Sequence, residues 1–435
     1  MSRAQVIEAD LAWTGARFER GIRIAVNGDG VIERTGELDS EPTLRLRHRA
    51  LLPGFVNIHS HAFQRGLRGL GETFPPGGTG SFWTWREAMY DLVERLDEPL
   101  LYDLSHLAFT EMLRAGITTV GEFHYAHHSA SAADFALDAV VLRAAQDAGI
   151  RMVLLETCYE TGGIGQPLQG AQRRFETTSP DEFWGQVDRL KTAAASAGHS
   201  VGVAAHSIRA VPLPRLIELH EEACRRGLVF HMHVEEQPLE IEQCLEAYHK
   251  TPMALIIDSL AVNPLFTAIH CTHAAASDMN EFLIAGGNVG ICPLTEANLG
   301  DGLANVPQIL REGGRICLGT DSNARLSFTE EMRMLEYGQR LRHQRRGICT
   351  DDAGRNGAVL LEAATINGAR SLGIRAGRLA ANHLADFVAI DLEAPILDGW
   401  ADDTLLESLV FGSGNEAIAA VCVGGRWIET AGLSR

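Results

Sequence analysis

His59-Ser60-His61 follows the apolar run Leu51-Leu52-Pro53-Gly54-Phe55-Val56-Asn57-Ile58, so two imidazoles should stand at the C-terminal end of a buried strand. Residues i and i+2 of a strand point the same way, and both rings can then face one ion held at about 2.0–2.1 Å per nitrogen. An isolated pair of this kind is as often one core and one loop histidine. Three later segments add ligand-type side chains at the ends of apolar runs: His233 within His231-Met232-His233-Val234-Glu235-Glu236, His270, and Asp321 within Gly319-Thr320-Asp321-Ser322. Zinc takes nitrogen and oxygen ligands and keeps one position open when it is catalytic. The set predicts that His59, His61, His233 and Asp321 hold one Zn2+ per chain, although the same ligands accept iron or manganese. His231 and Glu235 are near neighbours of His233 and Glu236, and strand alternation sets Glu235 and Glu236 on different faces.

These residues need a scaffold that brings distant strand ends together. Apolar runs recur at Thr118–His124, Arg151–Glu156, Val201–His206, Leu228–His233, Phe266–His270, Gly287–Cys292 and Arg315–Asp321, with helical stretches between them, and most of them finish with His, Asp or Glu. With the strand before His59 they make eight. Repeated βα units imply a parallel sheet buried by helices, and a (β/α)8 TIM-like barrel carries its chemistry at the C-terminal ends of its strands. Both termini have a different texture, with short alternating strands such as Ile22–Val26 before the turn Asn27-Gly28-Asp29-Gly30, and later His383–Asp391 and Ala419–Ile428. The reading is an α/β protein with a composite β-sandwich domain from 1–52 and 376–435 and a catalytic barrel over 53–375.

Composition narrows the partners. The 435 residues are 46% hydrophobic and 22% charged, near globular averages. A net charge of −18 makes nucleic acid or an anionic membrane a poor partner, and an anionic substrate would need local arginines. Lysine occurs only at 191 and 250. The basic run Arg340–Arg346 reads as a solvated helix face. Eight scattered cysteines without a CxxC pair suggest reduced, mostly buried thiols, and the N-terminus shows no cleavable apolar segment. A cytoplasmic protein is expected.

The HxH pair, later histidines and final aspartate resemble the amidohydrolase superfamily, with HxH on strand one, His on strands five and six, and Asp on strand eight. The resemblance covers essentially the whole chain. Members with two metals bridge them by a lysine on strand four; Val201–His206 contains none, which implies one metal. His233-Val234-Glu235-Glu236 resembles the His-x-x-Glu motif of the deaminase branch, with Glu236 as proton shuttle. More specifically, His59–Arg65, Ser81–Tyr90 and Leu294–Gly302 resemble the formimidoylglutamate deiminases, iminohydrolases of histidine breakdown. Phe123-His124-Tyr125, His206–Arg209 and Leu335–Arg342 fit the same family, while the termini and Thr251–Ile256 depart from it.

That resemblance implies a small dianionic amidine substrate whose two carboxylates are bound by Arg86 and Arg209, since a planar guanidinium pairs with a carboxylate in a bidentate fashion. Gln64, Tyr125 and His206 are expected beside the substrate. Arg86 is placed in a Trp-rich loop at the barrel mouth, with Trp83 and Trp85 as packing anchors. Asp321 would take the water's proton, His270 stabilise the tetrahedral centre and Glu236 protonate the leaving nitrogen, with the division of proton transfer left open. N-formyl-L-glutamate and ammonia would result. A homodimer is expected by resemblance alone. The competing expectations are a related single-metal deaminase or chlorohydrolase acting on a nucleobase, nucleoside or guanidino compound, and a noncatalytic barrel relative.

Overall fold

The computed structural model describes residues 4–74, 80–129 and 134–433. Eight parallel strands follow one another in chain order: Phe55–Ser60, Ile117–His124, Arg151–Cys158, Ser200–Ala205, Phe230–Val234, Phe266–His270, Asn288–Ile291 and Arg315–Leu318. Nearly every residue in them is buried. A sheet covered on both faces demands this, and it explains why the strands read as continuous apolar runs.

The eighth strand meets the first at the histidine pair. Thr320 and Asp321 donate their backbone N–H groups to His59 O at 3.0 and 2.9 Å, and His61 N donates to Asp321 O at 3.0 Å. Gly319 permits this approach, because a Cβ there would lie 2.8 Å from both His59 Cβ and Cys292 Sγ. Side chains fasten the same seam. Asn57 Nδ2 donates to Thr320 Oγ1 at 2.7 Å, and Asn323 Nδ2 donates to Ser60 Oγ and His61 O at 3.1 Å each. The parallel closure between Ser60 and Asp321 therefore sets two ligand-bearing segments side by side.

The remaining strands come from both ends of the chain and form one hydrogen-bonded sheet. Phe387–Asp391 pairs antiparallel with Leu44–Pro53, which joins the C-terminal strands to the N-terminal ones. Gln5–Trp13 runs parallel to Leu44–Pro53. The apolar run before His59 is also divided. Leu51–Pro53 ends a strand of the terminal sheet, and the barrel begins at Phe55. Gly54 lies at the break, where a Cβ would stand 2.1 Å from Thr118 Oγ1. A small core containing Ile7, Ile24, Leu51 and Phe387 lies within the terminal sheet, while Leu11, Leu52 and Val388 join the large barrel core. Residues 1–3 and 434–435, the outer ends of the expected terminal domain, lie outside the described residues.

All eight cysteines are unpaired and seven are buried. Among the described residues no helix is long and apolar enough to cross a membrane. Residues 341–346 of the basic run are exposed, and Arg340 Nε pairs with Glu336 Oε1 at 2.7 Å.

Candidate active site

The ends of strands one, five and eight bring four donor groups together. His59 Nε2 and His233 Nε2 are 3.1 Å apart, and Asp321 Oδ1 lies 3.3 Å from His61 Nε2 and 3.5 Å from His59 Nε2. Two tautomers follow from backbone carbonyls, which only accept. His61 Nδ1–H donates to Phe123 O and His233 Nδ1–H to His206 O, each at 2.8 Å. Burial drives the His59 ring down to about 3 and lowers His61 and His233 as well, so all three rings are neutral at pH 7. The Nε2 atoms of His61 and His233 are then bare lone pairs, and with His59 and the Asp321 carboxylate they converge on one point. Tetrahedral zinc with ligands at about 2.0–2.1 Å needs neighbouring donors about 3.3 Å apart, close to the spacing found. The donor set therefore fits a divalent cation, with both outer ring nitrogens anchored as metal-bound histidines require.

Backbone conformation aims two of the acidic groups. Asp321 has φ 49° and Glu235 φ 53°, left-handed values that non-glycine residues adopt at a cost. The turn at Glu235 separates the acidic pair. Glu235 Oε1 accepts from Met253 N at 2.9 Å, away from the cluster, whereas Glu236 Oε1 lies 3.7 Å from His270 Nε2. His231 likewise points elsewhere, with Nε2 on Ser371 O at 3.2 Å.

His270, fully buried with φ 74°, lies between carboxylates. Its Nδ1 is 3.2 Å from Glu296 Oε1, and its Nε2 is 3.7 Å from Glu236 Oε1 and 3.8 Å from Asp321 Oδ2. Burial opposes protonation, but these three carboxylates outweigh it and lift the ring to about 10. Asp321 is held below its ordinary value, its burial overcome by the hydrogen bond to His59 and the nearby imidazoles. One site thus presents a cationic imidazole, an ionised carboxylate and a cluster of neutral imidazoles.

A cavity opens beside this cluster, lined by His61, Gln64, Arg86, Tyr125, His206, Arg209, His233, Glu236 and Asp321 among others. Gln64 Nε2 donates to Tyr125 Oη at 2.8 Å, leaving the buried Gln64 Oε1 without a partner. The His206 ring stands edge-on to Tyr125, Tyr159 and His233. Arg209 Nη2 reaches Glu236 Oε2 at 3.4 Å, and Arg86 Nη2 donates to Tyr159 Oη at 3.3 Å.

Arg86 stands on a helix rather than in the expected loop. Ser81 caps Phe82–Arg95 reciprocally with Thr84. Phe82, Trp85, Arg86 and Met89, at helical spacing, all face the cavity. Trp85 is thus a wall of the site and not only an anchor, while Trp83 packs edge-on against Phe82 at 5.1 Å. Two further residues escaped the sequence reading: Glu296, which touches His270, and Glu240, fully buried behind Arg209 with Oε2 4.0 Å from its Nε. Glu296 lies inside the singled-out segment Leu294–Gly302, so a signal existed; Glu240 lies in helix Pro238–Tyr248, four residues after Glu236, with nothing to mark it.

Comparison with known proteins agrees with this geometry. The amidohydrolase family profile matches residues 50–428. The chain is 37% identical over 429 residues to a formimidoylglutamate deiminase of Pseudomonas aeruginosa, covering 97% of this chain and 94% of that protein. It is 27% identical over 395 residues to a 5-methylthioadenosine/S-adenosylhomocysteine deaminase of Syntrophobacter fumaroxidans, covering 88% and 82%. Among solved structures, an amidohydrolase from Brucella melitensis superposes with a TM-score of 0.87 at 32% identity, covering 97% and 94% of the two chains. A zinc-bound adenosine deaminase from Xanthomonas campestris gives 0.81 at 22% identity over 98% and 95%, a likeness of fold. From its barrel, its donor set and these matches, the chain belongs to the amidohydrolase family.

Proposed function

We propose that this chain hydrolyses N-formimidoyl-L-glutamate to N-formyl-L-glutamate and ammonia. The observation that carries the reading is the pair of arginines, Arg86 and Arg209, on the wall of the same cavity as Glu236 and Asp321. Two guanidiniums suit two carboxylates, and the 37% identical relative is a formimidoylglutamate deiminase. A purine or pyrimidine ring would leave both cations without an anionic partner.

His59, His61, His233 and Asp321 would hold one zinc ion. When bound, zinc brings the pKa of a coordinated water to about 7 and so provides a nucleophile at neutral pH. The Asp321 carboxylate, held ionised beside the imidazoles, accepts the proton from the attacking water. His270, held cationic by its three carboxylates, donates from Nε2 toward charge developing on the reacting carbon's substituents. Glu236 carries a proton to the departing nitrogen. Gln64, just after strand one, and Tyr125, just after strand two, orient the amidine together. Water adds across the C=N bond, and the tetrahedral centre then collapses to C=O as its C–N bond breaks, the nitrogen leaving as ammonia with both of the water's protons. A homodimeric assembly goes with this reading on resemblance alone.

Incubation with formimidoylglutamate tests it: ammonia and N-formylglutamate should appear in equal amounts. Ammonia from adenosine, guanine or cytosine, with none from formimidoylglutamate, would replace this reading by a ring deaminase.

A further inference from the structure

Arg209 is buried between two glutamates, of which the chemistry uses one. Its backbone is fixed first: it follows strand Ser200–Ala205, and its carbonyl accepts from Thr161 Oγ1 at 3.0 Å. The side chain then reaches the cavity wall, where Nη2 lies 3.4 Å from Glu236 Oε2 and Nε lies 4.0 Å from Glu240 Oε2. Phe82 covers the guanidinium, with Cζ 5.9 Å from the ring centre. Glu236 carries the proton to the leaving nitrogen. Glu240 has no part in that scheme.

Glu240 is the third residue of helix Pro238–Tyr248 and is fully buried. Its carboxyl faces two donors, Nε–H of Arg209 and the backbone N–H of Glu236. Burial lifts it to about 7 against the pull of Arg209, and its ionised and neutral forms both keep an oxygen that can accept from Nε–H. A buried ion without a partner is expensive, so glutamate and arginine hold each other in place.

A guanidinium can grip a carboxylate at its side, through Nε and Nη2, or at its end, through Nη1 and Nη2. In Arg209 the side is occupied, Nε facing Glu240 and Nη2 facing Glu236. Among the described residues Nη1 takes no protein hydrogen bond, so the end is the part left for a ligand in the cavity. Were Glu240 removed, the whole side could close on Glu236 as a bidentate pair and turn that end away.

We propose that Glu240 is a positioning residue for substrate capture: it holds the Nε side of Arg209, so that Nη1 and Nη2 are presented to one carboxylate of the dianion and Glu236 stays free to move its proton. The inference rests on the formimidoylglutamate reading. It makes Glu240 a determinant of specificity that acts through Arg209 and never touches the substrate.

Glu240→Leu removes both oxygens at similar bulk and should raise KM for formimidoylglutamate roughly tenfold, while Glu240→Gln, which keeps an oxygen, should recover most of that loss. Added to Arg209→Met, Glu240→Leu should change KM by less than about twofold, because the group it positions is gone. N-formimidoyl-γ-aminobutyrate and N-formimidoyl-α-aminobutyrate each lack one carboxylate; Glu240→Leu should hurt the same one of the two that Arg209→Met hurts and spare the other. A merely structural role would harm both. A parent enzyme that releases no ammonia from formimidoylglutamate fails the reading and the inference together. An active parent with a parent-like Glu240→Leu, or with a loss that persists in the Arg209→Met background, overturns the inference alone. If Glu240→Leu does not fold, crystals of the parent with N-formyl-L-glutamate decide: a carboxylate should sit on Nη1 and Nη2 of Arg209, and one on the Nε side, or none on Arg209, would overturn the proposal.

Discussion

Arg209 Nη2 lies 3.4 Å from Glu236 Oε2, so one expected substrate cation touches the group assigned to deliver the proton. Arg86 has no such contact: it donates to Tyr159 and lies over the rings of Trp83 and Tyr90. The two arginines therefore line one cavity in unequal relation to the chemistry.

Their substitutions should differ accordingly. Arg86→Met and Arg209→Met each remove a charge-assisted pair worth about 1.5–3 kcal/mol, or roughly 10–150-fold in kcat/KM. For Arg86→Met the loss should lie mainly in KM; for Arg209→Met kcat should fall as well, because Glu236 loses its neighbour. An analogue lacking one carboxylate should be hurt by only one of the two changes. Steady-state kinetics of both variants with both substrates reads this out.

Glu236→Gln keeps shape and removes the transferable proton. It should retain the metal and slow turnover by about 10²–10⁴-fold. Glu235→Gln should leave turnover within a few-fold of the parent, since Glu235 faces Met253 N. Metal analysis beside kcat separates a proton-transfer loss from a collapsed site.

His233→Ala and Asp321→Asn should both abolish nearly all turnover, the first by opening the donor set and the second by removing a ligand and proton acceptor. Metal affinity should fall in each, measured by competition with a chromogenic chelator. Parent-like activity with metal retained would refute the donor assignment.

Acid stability should report His231. Burial holds its ring down to about 4 in the folded chain, against an ordinary value near 6.5. A depressed histidine contributes stability that is full above about 6.5 and declines as pH falls toward 4, because the unfolded chain takes up the proton first. The urea midpoint should drop between pH 7.5 and 5, and His231→Gln should make that drop smaller.

Much of this was readable before any coordinates, because a buried parallel strand has to be an apolar run and a site at its end has to begin where polarity returns. The strand ends at His59, His233, His270 and Asp321 all announced themselves that way. Other features depend on what lies across space. The run Leu51–Ile58 is apolar up to Asn57, so its division at Gly54 between two sheets shows only in the close approach of Thr118. Arg86 was expected on a loop because Ser81 and Thr84 are ordinary residues until their reciprocal cap is seen.

The central claim, a dianionic amidine as substrate, is tested most directly by kcat/KM for ammonia release from formimidoylglutamate, measured beside formimidoylaspartate, adenosine, guanine and cytosine. Formimidoylglutamate should be preferred over every ring substrate by at least the roughly 10–150-fold that one carboxylate pair supplies. A nucleobase or nucleoside turned over as well as formimidoylglutamate, or better, would contradict it.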